Sequence, residues 1–162
     1  MILDIIIVVL MVSAVALIAD TIMEVRNRNN SKISFKESMD LTGLPVITFR
    51  QGENKLNFVL DTGAVSSMID SNILNTLEYT PIEGTSTGYG IDGKEHVMER
   101  VGIVLTYKDN QYSDVFRVFD MTASFGAFKR DFGVTVHGLL SSSFFERYKY
   151  VLDFKELIAY CK

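Results

Sequence analysis

Apolar residues crowd the start of the chain, give way to a polar stretch, and then alternate with polar residues almost to the end. From Met1 to Ala19 only Asp4 and Ser13 interrupt the apolar run. A bilayer core takes roughly 20 apolar residues in helix, and Ile22, Met23 and Val25 extend the run toward that length. Ala14-Val15-Ala16 offers the small residues of a cleavage site, as in a secretory signal. No positive charge precedes the run, however, and Arg26, Arg28 and Lys32 follow it. That order predicts a retained, single-pass transmembrane anchor over 1–25, with the domain after it on the cytoplasmic side and an extracytoplasmic placement as the alternative. Residues 26–42 carry neither the helical nor the strand period and predict a polar tether.

The remainder, 43–162, reads as strands joined by turns. Leu44 to Phe49 forms a short strand with Pro45 near its start, where a missing N–H costs least. Turn residues at 50–55 lead to a second strand, Leu56 to Leu60, and so to a hairpin. Val101–Tyr107 and Val115–Phe119 bracket the polar turn 108–111, and Tyr150–Phe154 and Leu157–Tyr160 flank Lys155-Glu156 in the same way. Two short helices are expected. Ser71 can cap 72–78, where Ile73, Leu74 and Leu77 share a face, and Ser142 or Ser143 can cap 144–148. Many short strands with closely spaced turns predict an all-β fold, a small barrel or sandwich.

Charge and composition narrow the function classes. A net charge of -4 argues against nucleic acid as the main partner, because phosphate binding needs a basic face. The single cysteine, Cys161, excludes an intrachain disulfide, and with only His96 and His137 beside it no closed zinc site is expected. No cofactor motif survives its context. Gly84-Thr85-Ser86-Thr87-Gly88 spells a nucleophile elbow but lacks the strand-to-helix setting that motif requires. Gly88-Tyr89-Gly90-Ile91-Asp92-Gly93 spells a dinucleotide fingerprint without its strand and helix, and Asp92-Gly93 reads better as the turn of a hairpin. Asp131-Phe132-Gly133 echoes a kinase motif with none of its companions, and Ser141-Ser142-Ser143 reads as a helix cap.

Asp61-Thr62-Gly63 stands out. It follows the apolar strand Phe58-Val59-Leu60 and precedes Ala64-Val65-Ser66-Ser67-Met68-Ile69, so the acid sits at a tight turn between two strands. The bland alternative is an aspartate that caps a turn. The order of parts resembles the retropepsin-like aspartic proteases over roughly Leu44 to Ile158. It runs from the Leu-Pro-Val-Ile strand through Phe-Val-Leu-Asp-Thr-Gly-Ala and a glycine-bearing hairpin to Gly138-Leu139-Leu140 and Phe144 to Tyr148, and closes with Val151-Leu152-Asp153-Phe154. Ser141 stands where that family usually carries glycine.

The resemblance implies a small closed barrel of the retropepsin type with one or two short helices, and an aspartic endopeptidase. Asp61 would be the catalytic carboxylate, supported by Thr62, Gly63 and Ala64, with Tyr89, Gly90, Ile91, Asp92 and Gly93 as a flap over a polypeptide substrate. It implies no metal and no cofactor. One Asp-Thr-Gly per chain implies a homodimer, because the chemistry takes two carboxylates on one water. Ser141 carries the competing reading, a catalytically inactive, membrane-anchored module that binds peptides or dimerises.

Overall fold

The computed structural model describes residues 11–23, 32–89 and 95–161. Helix α1 covers 11–23. Strand β1 (Ile33–Ser34) and helix α2 (Lys36–Thr42) precede the first hairpin, β2 (Val46–Gln51) and β3 (Asn54–Asp61). Then come β4 (Met68–Asp70), a 3-10 turn at Leu74–Thr76, and the long strands β5 (Thr80–Tyr89), β6 (Glu95–Tyr107) and β7 (Asn110–Phe119). Helix α3 (Thr122–Phe132), β8 (Gly138–Ser141), helix α4 (Ser142–Arg147), β9 (Tyr150–Asp153) and β10 (Ile158–Cys161) complete the order.

Seven strands form one sheet in the order β2-β3-β8-β4-β7-β6-β5, and β1-β10-β9 form a second, three-stranded sheet. The expected hairpins are present because alternation and turn chemistry agree. β2 and β3 pair from Val46–Val59 to Gln51–Asn54 around Gly52, whose φ of 55° suits glycine at the turn. β6 and β7 pair from Arg100–Arg117 to Tyr107–Asn110, and β9 pairs with β10. Alternate residues of these strands, among them Phe49, Leu56, Phe58, Ile103, Leu105 and Phe116, make one core with Leu140 and Phe144. Burying each such side chain contributes roughly 2–3 kcal/mol.

Three expectations are corrected. No helix among the described residues is long and apolar enough to cross a membrane. The described part of helix α1 covers 13 residues, about 20 Å against a hydrocarbon core of about 30 Å, and includes Asp20. The transmembrane anchor, and the single-pass cytoplasmic placement read from it, are therefore overturned over these residues; positions 1–10 and 24–31 lie outside those described. Second, the fold is mixed and sheet-rich instead of all-β: among the described residues, ten strands are accompanied by α1 to α4. Third, the pairing does not describe the expected closed barrel. β2 meets β6 through the single register pair Arg50–Thr106, with β2 and β5 at the ends of the strand order.

Local chemistry accounts for the helices that alternation did not announce. α2 lies in the stretch expected to be tether; Gly43 ends it in the left-handed conformation, donating to Met39 O at 2.9 Å. Ser38 fastens α2 to β2, its hydroxyl donating to Val46 O (3.0 Å) and accepting from Val46 N–H (2.9 Å). α3 ends likewise at Gly133 and packs Phe125 and Phe128 on Val46, Val59 and Val136. Of the helix expected at 72–78, only the 3-10 turn forms.

At Gly138, where β8 lies between β3 and β4, the backbones come close. A Cβ there would stand 2.3 Å from Met68 O and 2.9 Å from a Phe58 ring carbon. Both neighbours are packed, so Gly138→Ala is expected to cost about 3 kcal/mol. Gly126, within α3 and with nothing within 4 Å of such a Cβ, is the control. Gly126→Ala is expected to add about 0.5–1 kcal/mol. Urea midpoints of the two variants, moving in opposite directions, check the pair.

Candidate active site

Asp61 is the last residue of β3 and lies opposite Ser141 in the parallel pairing of β3 with β8. Leu60 and Leu140, one residue earlier on each strand, are buried, so the acid leaves the sheet directly from the core. The backbone then folds back on the side chain. Asp61 Oδ1 accepts from Gly63 N–H at 2.9 Å and from Ala64 N–H at 3.2 Å, and Ala64 N–H also reaches Asp61 O at 3.3 Å. Hydrogen bonds to an ionised oxygen are stronger than neutral ones, which fixes the carboxylate in one orientation. A Cβ at position 63 would sit 3.3 Å from Oδ1, so glycine keeps this turn tight without crowding its acceptor.

The loop is held from its other side as well. Ser142 donates to Ala64 O twice, from its N–H at 3.0 Å and its hydroxyl at 2.8 Å. Asp61 and Ala64 are half-buried, whereas Thr62 and Gly63 are exposed, and the Thr62 hydroxyl has no partner among the described residues. The flap residues are only partly in view. Tyr89 ends β5, and Gly90, Ile91, Asp92 and Gly93 lie outside the described residues.

Beneath the loop lies a buried polar network. The Ser67 hydroxyl donates to Asp114 Oδ2 at 2.6 Å, accepts from Ser141 N–H at 3.2 Å, and lies 3.2 Å from the Ser141 hydroxyl. The Ser141 hydroxyl in turn meets that of Ser143 at 2.8 Å. Arg147 Nη1 donates to Asp114 Oδ1 at 2.9 Å and to Ser113 O at 3.0 Å. Ser67 and Ser141 are fully buried and Asp114 nearly so, yet each has a partner, as buried polar groups require. A hydroxyl therefore fits at 141, where the resemblance led one to expect glycine.

Ser67, Asp114, Ser142, Ser143 and Arg147 were not anticipated as parts of the site. Asp114 did leave a trace: it holds an inward position of β7 between Tyr112 and Phe116, and a charge in a core register asks for a partner. The serines expected to cap α4 do something else, since that helix has no side-chain cap. Ser86 lies within β5, away from any strand-to-helix elbow, and Asp131-Phe132-Gly133 is the end of α3 with its capping glycine. Among the described residues, no three or more His, Cys, Asp or Glu gather as metal ligands.

His137 adjoins the site through β8. Its Nδ1 accepts from Asn57 N–H at 2.9 Å, while its own backbone bridges Asn57 O and Asp70 N–H, both at 2.8 Å. Burial pushes its pKa below the ordinary 6.5, partly opposed by the nearby Asp70 carboxylate.

Comparison with protein-family models yields no match, and comparison with curated protein sequences yields none.

The network and the histidine each carry a prediction. Removing Arg147 strands the buried Asp114 carboxylate, so Arg147→Ala is expected to cost about 2 kcal/mol, with Asp114→Ala/Arg147→Ala less than the sum of the single changes in a double-mutant cycle. For His137 the folded state favours the neutral ring. Its contribution is present above pH 6.5 and is lost as pH falls from there through the lowered folded value. Urea midpoints at pH 7.5 and 5.5 are expected to differ more for the natural chain than for His137→Asn.

Proposed function

We propose that the chain is one protomer of an aspartic endopeptidase whose active site is completed by a second copy of itself. The observation that supports this most is the presentation of Asp61. The carboxylate stands at the end of a strand with one oxygen held by two backbone N–H groups, in a loop clamped from behind by Ser142. A turn-capping aspartate needs the first of these features and not the clamp. The exposed Thr62 and Gly63 beside it offer the surface through which a two-fold partner would bring its own Asp61 into reach.

In that arrangement the two carboxyl groups share one proton, because like charges a few ångströms apart cannot both ionise cheaply. The ionised member takes a proton from the water between them as that water attacks the peptide carbonyl carbon. The protonated member donates a hydrogen bond to the carbonyl oxygen, stabilises the developing oxyanion, and transfers its proton as the tetrahedral intermediate forms. Collapse of that intermediate breaks the C–N bond, with a proton passing to the leaving nitrogen. The paired strands β5 and β6 supply backbone groups for an extended peptide. No cofactor enters these steps.

Asp61→Asn keeps the shape of the side chain but cannot share the proton, and peptide cleavage at mildly acid pH is expected to drop roughly a thousandfold. The dimer has its own signature. Equimolar exchange with Asp61→Asn is expected to leave about half the activity per wild-type chain, since mixed pairs hold only one complete acid. Undiminished cleavage by Asp61→Asn removes the residue from the mechanism; undiminished activity after verified exchange removes the shared site.

A further inference from the structure

One cross-strand row runs over the face of the large sheet that carries Asp61. Register pairs link Val46 to Val59, Val59 to Leu139, Leu139 to Met68, Met68 to Arg117, Arg117 to Arg100 and Arg100 to Ile82. Residues paired in this way project from the same face, and Asp61 follows Val59 by two along β3, so strand alternation puts it on that face too. α3 covers the apolar end of the row, where Phe125 and Phe128 pack on the cluster of Val46, Val59 and Leu139. The other end, Met68 to Arg100, is half-buried and lies at the base of the β5–β6 hairpin.

Two features at that end have no structural explanation. Arg100 and Arg117 stand directly opposite each other, an arrangement that costs stability when charges are alike, in a chain whose net charge is -4. Neither forms an ion pair with a carboxylate among the described residues. Arg100 Nη2 is anchored to Glu83 O at 2.6 Å, in the irregular stretch of β5, while its Nε and the Ser86 hydroxyl are buried with no hydrogen-bond partner among the described residues. Arg117 is pinned beneath the hairpin: a Cβ on Gly88 would meet its Nη1 at 2.6 Å, so glycine makes room for the guanidinium. Buried donors without acceptors are costly. Two cations kept side by side without an anion break a local rule that a ligand anion would satisfy.

We propose that Arg117, supported by Arg100, forms a subsite that selects peptide substrates carrying an aspartate or glutamate side chain near the bond cleaved. This rests on the peptidase reading and deepens it. Arg117 lies three strands from Asp61, about 15 Å between backbones at a strand spacing of about 4.8 Å. An extended peptide advances about 3.3 Å per residue, so this separation corresponds to about four or five residues of substrate. The acid read by Arg117 is therefore within about five residues of the scissile bond. A guanidinium engages a carboxylate through two parallel hydrogen bonds, which separates glutamate from glutamine.

The full chain is assayed with a set of octapeptides in which Glu replaces Gln at each position in turn. Labelled forms of the same peptides are titrated against Asp61→Asn to read binding without cleavage. One position is expected at which Glu raises kcat/KM by roughly tenfold to a hundredfold. Arg117→Met is expected to erase that preference, Arg117→Lys to weaken it, and Arg117→Glu to turn it toward Lys at the same position, a reversal that mere loss of structure does not produce. Cleavage indifferent to Glu at every position, or a preference that survives Arg117→Met and Arg117→Glu, overturns the subsite and leaves the peptidase reading standing. Glu-selective binding that needs Arg117, without any cleavage dependent on Asp61, upholds the subsite and overturns the peptidase reading. Neither cleavage nor Glu-selective binding overturns both.

Discussion

The parallel pairing of β3 with β8 governs the architecture around Asp61. Four consecutive pairs, from Phe58–Gly138 to Asp61–Ser141, bring together residues about 80 positions apart in the chain. They end with the acid and a buried serine side by side. Parallel strands cannot be joined by a tight turn, so a long excursion separates them in the chain. β4, the hairpin of β5 and β6, β7 and α3 form that excursion, and β4 returns to pair with β8 on its other edge. The crossing is so close that only glycine fits at 138. Stability at this point and geometry at Asp61 are therefore one problem.

The polar network beneath the loop solves a second part of it. Asp114 arrives from β7, Ser67 from the loop after Asp61, Ser141 from β8 and Arg147 from α4. Each is separated from the others by tens of residues except along β8 and α4, so the network forms only when the sheet is assembled. Breaking one link leaves a buried hydroxyl or carboxylate without a partner, at a cost larger than the net gain from making it. Such a network rewards one register and penalises others, which suits a loop whose acid must be held in place.

The hairpins were legible in the sequence because side-chain alternation and turn residues are local signals. β2 with β3, β6 with β7, and β9 with β10 all follow from residues within about 20 positions of one another. The Asp61 turn was legible for the same reason. α3 was overlooked although Phe125, Phe128 and Phe132 recur at helical spacing, because Gly126 and the two strand-like flanks obscured the period. α2 has few apolar residues and owes its place to Ser38 and Gly43, contacts that a pattern of hydrophobicity does not record. Over 11–23 the apolar composition of the N-terminal run pointed to a membrane span, and the helix described there is not long and apolar enough to make one. At Ser141 the departure from the family's glycine was visible, but the hydroxyls that accommodate it lie 74 positions away and two positions on, and the first cannot be inferred from spacing.

The two oxygens of Asp61 are chemically unequal before any partner arrives. Oδ1 is saturated by amide donors from its own turn, and no described residue donates to Oδ2. One oxygen thus acts as a hinge pin for the backbone while the other stays at liberty for solvent, a proton or a second carboxyl. In the proposed pair, the mobile proton has a single seat on each side, which removes rotational ambiguity from the shared acid without any additional residue to enforce it.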